Sequence, residues 1–293
     1  MDFSKLDDKR VFVTGAADGI GAALARTFKA GGARVFLSDI AEERLRETAG
    51  SLGSPSLPCD VTNPTSLARV VERAWRELGG IDLVCANAGV VMQGPILETS
   101  REDLDWIFNI NVWGCLDTCR PFVRLLRENK KPGHILLTGS EASLSYPRLI
   151  HDMQLTAYLM TKHTVLALAD GLRADLRGDG IGVSVLCPGP VATALSQNSS
   201  GLRPANSSTR GSSGRTPGAV STPASPNPTA ELRSDLQQQI GALSRTPDQV
   251  AATALEGLRR GLCVIPTHPH IRADVAERMN EIERGCDALI QTS

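Results

Sequence analysis

Through the first 190 residues, short apolar runs of strand length alternate with longer segments whose apolar residues recur every three or four positions. This alternation leaves few folds open, because strands joined in one direction by helical crossovers build a parallel sheet covered on both faces. The pattern predicts strands at Arg10–Thr14, Arg34–Ser38, Ser56–Cys59, Leu83–Ala86, His134–Thr138, Gly182–Cys187 and Leu262–Ile265. Helices are predicted over Ile20–Ala30, Glu42–Leu52, Thr65–Leu78, Arg101–Glu128 and Thr156–Arg177, each with an apolar stripe and a charged outer face. Seven such strands imply an α/β, doubly wound parallel sheet, with residues 1–293 forming a single domain.

The balance of 31 Lys and Arg against 32 Asp and Glu gives a net charge of −1, so no overall field exists to hold nucleic acid or a membrane surface. A small, weakly charged substrate suits that balance. No run approaches the ~18 apolar residues of a membrane span, and Met1–Arg10 is too polar for a signal peptide. The seven cysteines are scattered, and Cys115 and Cys119 have helical rather than metal-clip spacing. Together these features predict a cytoplasmic protein with free thiols.

Ser196–Ala230 breaks the pattern. Ser, Gly, Pro, Thr and Asn supply 25 of its 35 residues and no acidic residue occurs, so it buries too little apolar surface to offset the entropy of ordering. A flexible low-complexity loop, inserted at about 196–230, is the expectation. Helical periodicity returns at Glu231–Leu243, Pro247–Arg260 and Ile271–Ile290.

Directly after the first strand comes Thr14-Gly15-Ala16-Ala17-Asp18-Gly19-Ile20-Gly21, which leads into a helix. Glycines allow the tight turn and the close approach of a pyrophosphate, whose charge is favoured at the helix N-terminus. The second strand runs into Asp39, 18 residues beyond Gly21. A carboxylate there can accept from both ribose hydroxyls and repels a 2′-phosphate, which favours NAD over NADP. Asp18 within the turn argues the same way, and Ile40 supplies no cation.

Further motifs follow in a fixed order: Asp60-Val61, Asn87-Ala88-Gly89, Asn111, a serine after the fifth strand, Tyr158-x-x-x-Lys162, and Pro188-Gly189-Pro190-Val191-x-Thr193. With the Gly-rich turn, this set resembles the short-chain dehydrogenase/reductase family from Lys9 to about Ala194, and less distinctly from Thr246 onward. The resemblance implies a Rossmann-like sheet in the order 3-2-1-4-5-6-7. It implies that Asp60 bonds the adenine amino group, that Val61 packs beside the ring, and that Asn87, Ala88 and Gly89 line the ribose side. Asn87 reads equally well as an architectural strand cap. Pro188, Gly189, Val191 and Thr193 would shape and hold the nicotinamide end.

Tyr158 and Lys162, four residues apart, share one helical face. A phenol titrates near ~10, and a neighbouring ammonium favours its phenolate. By resemblance, Tyr158 is the acid/base, Lys162 its electrostatic partner and a ribose ligand, and Asn111 the holder of a water that relays protons from Lys162. The serine that steadies the substrate oxygen is Ser140 at the strand end. Its interval to Tyr158 is longer than the family's, which would select Ser145 unless Tyr146–Gln154 carries an insertion; Ser143 is the third candidate. The activity implied is NAD-dependent interconversion of a secondary alcohol and a ketone on an apolar, cyclic, terpenoid or steroid-like molecule. Val90, Val91, Met92, Leu144, Leu149, Ile150, Met153 and Leu195 offer its pocket.

A non-catalytic NAD sensor is the alternative, though sensing alone needs none of Asn111, Ser140, Tyr158 and Lys162. Epimerase-like chemistry fits less well, because its relatives space their glycines differently. His151, His163, His268 and His270 lack metal-site spacing, so no metal is expected. The resemblance also implies a homodimer or homotetramer, in which Trp106, Phe108 and Trp113 are core or subunit contacts.

Overall fold

The computed structural model describes residues 1–204 and 238–290. Seven strands form one sheet: β1 (Arg10–Thr14), β2 (Arg34–Asp39), β3 (Ser56–Pro58), β4 (Leu83–Ala86), β5 (Gly133–Thr138), β6 (Ile181–Cys187) and β7 (Val264–Pro266). All pairings are parallel and the order is β3-β2-β1-β4-β5-β6-β7. This is the order expected of a Rossmann-like, doubly wound fold. The chain reverses its direction of travel across the sheet between β1 and β4, which opens a crevice beyond their C-terminal ends.

Both faces of the central strands are covered, so β1 reads as an unbroken apolar run even though its side chains alternate. Phe12 packs on one face with Leu67, Val70, Phe122 and Val165 of α3 (Pro64–Leu78), α5 (Gly114–Asn129) and α6 (Thr156–Asp175). Val11 and Val13 pack on the other with Leu24, Leu45 and Val250 of α1 (Gly19–Ala30), α2 (Glu42–Leu52) and α8 (Pro247–Arg259). Local chemistry starts these helices where the sequence changes character. Asn63 caps α3 by accepting from Ser66 N, with Pro64 at its first position. Thr246 and Gln249 close a capping box on α8.

Two expectations are corrected, one of a helix and one of a loop. Arg101–Glu128 is not one helix: α4 (Arg101–Phe108) passes through a π-helical turn at Asn109–Trp113 before α5 begins. The widened turn displaces side chains without breaking the helical path, so apolar periodicity does not reveal it. The expected loop at 196–230 begins instead as helix α7 (Leu195–Leu202). There Ser199 donates to Leu195 O and accepts from Val91 N at 2.9 Å, while the Arg203 guanidinium grips both carboxylate oxygens of the buried Asp103, each at 2.7 Å. Tertiary partners thus supply order that composition alone does not. Residues 205–230, and 231–237 of the helix expected at Glu231–Leu243, lie outside the described residues; 238–243 are helical. The last helix, α9 (Ile271–Ile290), has the predicted limits, and only Ile271 is buried.

Candidate active site

The crevice at the strand ends holds a cavity of about 730 Å³. At one end lies the Gly-rich turn. Gly15 takes φ +63°, and a Cβ there would stand 2.8 Å from Ala88 Cα; a Cβ on Gly21 would meet Gly15 O at 2.0 Å. These glycines hold β1, α1 and the β4 end too close for any side chain, leaving an open cradle at the N-terminus of α1. Asp18 caps α1, its carboxylate accepting from Gly19 N at 2.6 Å, and Thr193 covers Gly19.

Asp39, at the end of β2, accepts from Ala17 N at 3.0 Å and from Ala41 N at 2.9 Å, one amide on each oxygen. Each oxygen retains a second lone pair for a hydroxyl. Beside it the structure places a cation that the sequence reading missed. Arg44, on the first turn of α2, lines the cavity, stands 3.6 Å from Asp18 and donates to Asn198 of α7 at 2.9 Å. Positions 18 and 40 carry no cation, as the sequence reads, but helical geometry brings Arg44 back to the turn.

Asp60 and Val61 form the neighbouring wall, with Asp60 also accepting from Thr62 N and Oγ1. Asn87, Ala88 and Gly89 follow at the end of β4. Asn87 donates to Thr14 O and Gly15 O and accepts from Thr138 Oγ1 at 3.1 Å, tying β1, β4 and β5 together. Of the two readings of Asn87, architecture is thus its visible one.

At the other end stand Ser140, Tyr158, Lys162, Pro188, Gly189 and Val191. The Ser140 hydroxyl lies beside the Tyr158 phenol, where it favours the phenolate, and donates to Pro188 O at 3.4 Å. It also accepts from Ala142 N, while Ser143 turns inward to accept from Ser140 N at 3.1 Å. Ser143 and Ser145 are buried away from the cavity, so Ser140 is the serine of the three that faces it. The interval to Tyr158 contains a short 3₁₀ segment, Arg148–Met153, where an insertion was expected.

Lys162 is buried beneath the tyrosine, its Nζ donating to Thr138 O at 2.8 Å and lying 5.6 Å from the Tyr158 ring centroid. Burial moves both groups toward their neutral forms, Tyr158 up to about 12 and Lys162 down to about 8. The expectation that Lys162 lowers the phenol is not what this geometry does. Burial outweighs everything else at the phenol, with the neighbouring Ser140 hydroxyl favouring the phenolate and Glu141 and Cys187 opposing it. Asn111, in the π-helical turn, does not line the cavity. Its amide accepts from Val90 N at 2.8 Å and donates to Val90 O at 2.9 Å and to Thr161 Oγ1 at 3.0 Å.

The apolar substrate wall also differs from expectation. Val90 and Leu195 line the cavity, joined by Trp106, Ile110 and Leu202. Val91, Leu149, Ile150 and Met153 instead form a satellite core around Tyr158 and Leu155; Met92 packs with Ile107 and Leu144 joins the main core. The 3₁₀ segment folds inward and uses its apolar side chains for packing.

A parallel, doubly wound sheet with a glycine cradle at the first helix and a serine, tyrosine and lysine at the far end of one crevice defines a dinucleotide-binding oxidoreductase class. The short chain dehydrogenase family model matches residues 9–202. The chain belongs to the short-chain dehydrogenase/reductase family and is an oxidoreductase of that NAD(P)-binding group. It is 36% identical over 211 residues to 1-deoxy-11-beta-hydroxypentalenate dehydrogenase of Streptomyces exfoliatus, covering 70% of this chain and 75% of that one. It is 32% identical over 199 residues to oxidoreductase UcpA of Escherichia coli K12, covering 66% and 73%. A crystal structure of a short chain dehydrogenase/reductase from Burkholderia phymatum in complex with NAD superposes with TM-score 0.79 at 28% identity, covering 96% of both chains.

Proposed function

We propose that this chain interconverts a secondary alcohol and a ketone on an apolar, cyclic or terpenoid-like small molecule, using NAD(H). The observation that carries the reading is the shared wall of one cavity, where the Ser140 hydroxyl meets the Tyr158 phenol above buried Lys162, facing the same space as the glycine cradle. The residues present fit the dinucleotide: the positions of Gly15 and Gly21 leave no room for a Cβ but leave the backbone open to a pyrophosphate. Asp39 would hold the ribose hydroxyls, Asp60 and Val61 the adenine, and Pro188, Gly189, Val191 and Thr193 the nicotinamide end. When bound, the nicotinamide supplies the hydride acceptor or donor.

In oxidation, Tyr158 acts as the phenolate and takes the alcohol proton at its phenolic oxygen, while Ser140 donates to the substrate oxygen as its bonding changes. Lys162, anchored on Thr138 O beneath the phenol, passes the proton outward; Asn111 keeps Val90 and Thr161 in register around it. Reduction runs the other way. Trp106, Ile110, Leu195 and Leu202 favour an apolar substrate, in keeping with the printed name of the Streptomyces relative. NAD is preferred because Asp39 would oppose a 2′-phosphate, while Arg44 is already engaged with Asp18 and Asn198. A homodimer or homotetramer through α5 and α6 fits the exposure of Trp113 and Met160 on them and beside them, and a reducing, cytoplasmic setting fits seven free cysteines.

The test is an absorbance screen of cyclic secondary alcohols with NAD⁺ and NADP⁺. The reading expects at least one alcohol to reduce NAD⁺ with kcat/KM about tenfold above that for NADP⁺. A preference for NADP⁺ would overturn the Asp39 argument.

A further inference from the structure

Next to Ser140 stands Glu141, a buried carboxylate for which the proposed chemistry has no use. Its Oε2 lies 3.0 Å from Nε2 of His270, yet neither atom completes an aligned hydrogen bond. Among the described residues, Glu141 Oε2, Ser145 Oγ, His268 Nε2 and His270 Nε2 are all buried without a hydrogen-bond partner. Orphaned polar atoms in such number are costly and call for a ligand or a proton. The described residues contain no group able to hold a metal ion.

The same cluster braces both sides of the reacting centre. His268 Nδ1 accepts from Gly189 N at 3.1 Å and from the Thr267 hydroxyl, 2.7 Å away, which fixes the loop after β6. A Cβ on Gly189 would stand 2.5 Å from Glu141 Oε2 and 2.8 Å from the His268 ring, so loop, carboxylate and imidazole are in direct contact. The groups near the Glu141 carboxylate are Tyr158 from α6 and His268, His270 and Asp274 from the segment after β7; Arg148 lies 3.9 Å from Asp274.

Resting on the reading of Tyr158 as acid/base, we propose that Glu141 and His270 form a positioning pair that holds one proton between them and controls the negative charge facing the Tyr158 phenol. A proton shared across 3.0 Å turns two orphaned atoms into a donor and an acceptor and removes the charge from the carboxylate. When the proton leaves to solvent, the bare carboxylate opposes the phenolate at Tyr158. Burial, with Asp274 adding to it, pushes Glu141 up to about 7, which places the release near neutrality. Tyr158 is in turn held up in part by Glu141.

The chain has two tyrosines, so Tyr146→Phe leaves Tyr158 as the one phenol whose ionisation the ultraviolet difference spectrum reports. The titration is made on the cofactor-free protein and needs no turnover, so it separates this proposal from the catalytic reading. In that background, Glu141→Gln should lower the Tyr158 midpoint by about one pH unit, and the charge-retaining Glu141→Asp should move it back. Carboxyl ¹³C NMR should show one glutamate titrating near pH 7 that vanishes in Glu141→Gln and shifts in His270→Phe. An unchanged Tyr158 midpoint in Glu141→Gln, equal shifts in the Gln and Asp variants, or glutamates that all titrate in the ordinary range would overturn the proposal.

Discussion

The ammonium of Lys162 donates to the backbone carbonyl of Thr138 at 2.8 Å, at the end of β5, so the strand rather than the phenol holds the lysine in place. Burial then lowers Lys162 from its ordinary 10.5 to about 8. Between those values the unfolded chain keeps the proton that the folded chain has released. Unfolding therefore takes up a proton, and stability rises with pH across this window. The gain is on the order of 2 kcal/mol and is lost again as pH falls through 8. Urea denaturation of the wild type and Lys162→Met at pH 8 and pH 10 should show the wild type gaining on the variant. Parallel stabilities at the two pH values would contradict the buried position of Lys162.

Asn111 satisfies both backbone groups of Val90 and the Thr161 hydroxyl from within a π-helical turn. Asn111→Ala leaves these partners buried without it and should cost about 2–4 kcal/mol in urea denaturation. Turnover should fall in the fraction that remains folded, because the Val90 wall and the tyrosine-bearing helix lose their common anchor. A cost below about 1 kcal/mol would mean that the turn holds its shape without the amide.

Arg203 and Asp103 join the end of α7 to α4 through two hydrogen bonds of 2.7 Å, and α7 supplies Leu195, Ser199 and Leu202 to the cavity. Arg203→Ala should raise KM for an apolar alcohol about tenfold with kcat little changed, since the latch orders the substrate wall and touches no reacting atom. Steady-state kinetics reads this directly. A fall in kcat at constant KM would place Arg203 in the chemistry instead.

Asp39 accepts amides from Ala17 and Ala41, and Arg44 lies along the same wall. Asp39→Ser removes the charge that opposes a 2′-phosphate and leaves the guanidinium near it. The ratio of kcat/KM for NAD⁺ to that for NADP⁺ should fall about tenfold or more. An unchanged ratio would show that selectivity is set elsewhere.

Much of this architecture is legible in the sequence because its constraints are local. Gly15 and Gly21 are demanded by backbone contacts that exclude a Cβ, and the interval from Tyr158 to Lys162 is one helical turn. The β1 run is apolar on both faces because helices cover both. What escapes notice depends on partners distant in the chain. Asp103 orders the start of a Ser- and Gly-rich stretch one hundred residues later, and Glu141 meets His270 across the sheet edge. The π-helical turn around Asn111 preserves helical periodicity, and burial of the Tyr158-bearing helix reverses the simple expectation for a phenol near an ammonium.

The central claim is that the Tyr158 phenol exchanges the proton of the reacting hydroxyl. The most direct measurement is single-turnover NADH formation from a saturating secondary alcohol, with NADH binding followed in parallel by fluorescence, for the wild type and Tyr158→Phe. The account predicts that the variant binds NADH within about twofold of wild type while hydride transfer falls at least about a thousandfold. A Tyr158→Phe protein that retains more than a few per cent of the wild-type rate would contradict it.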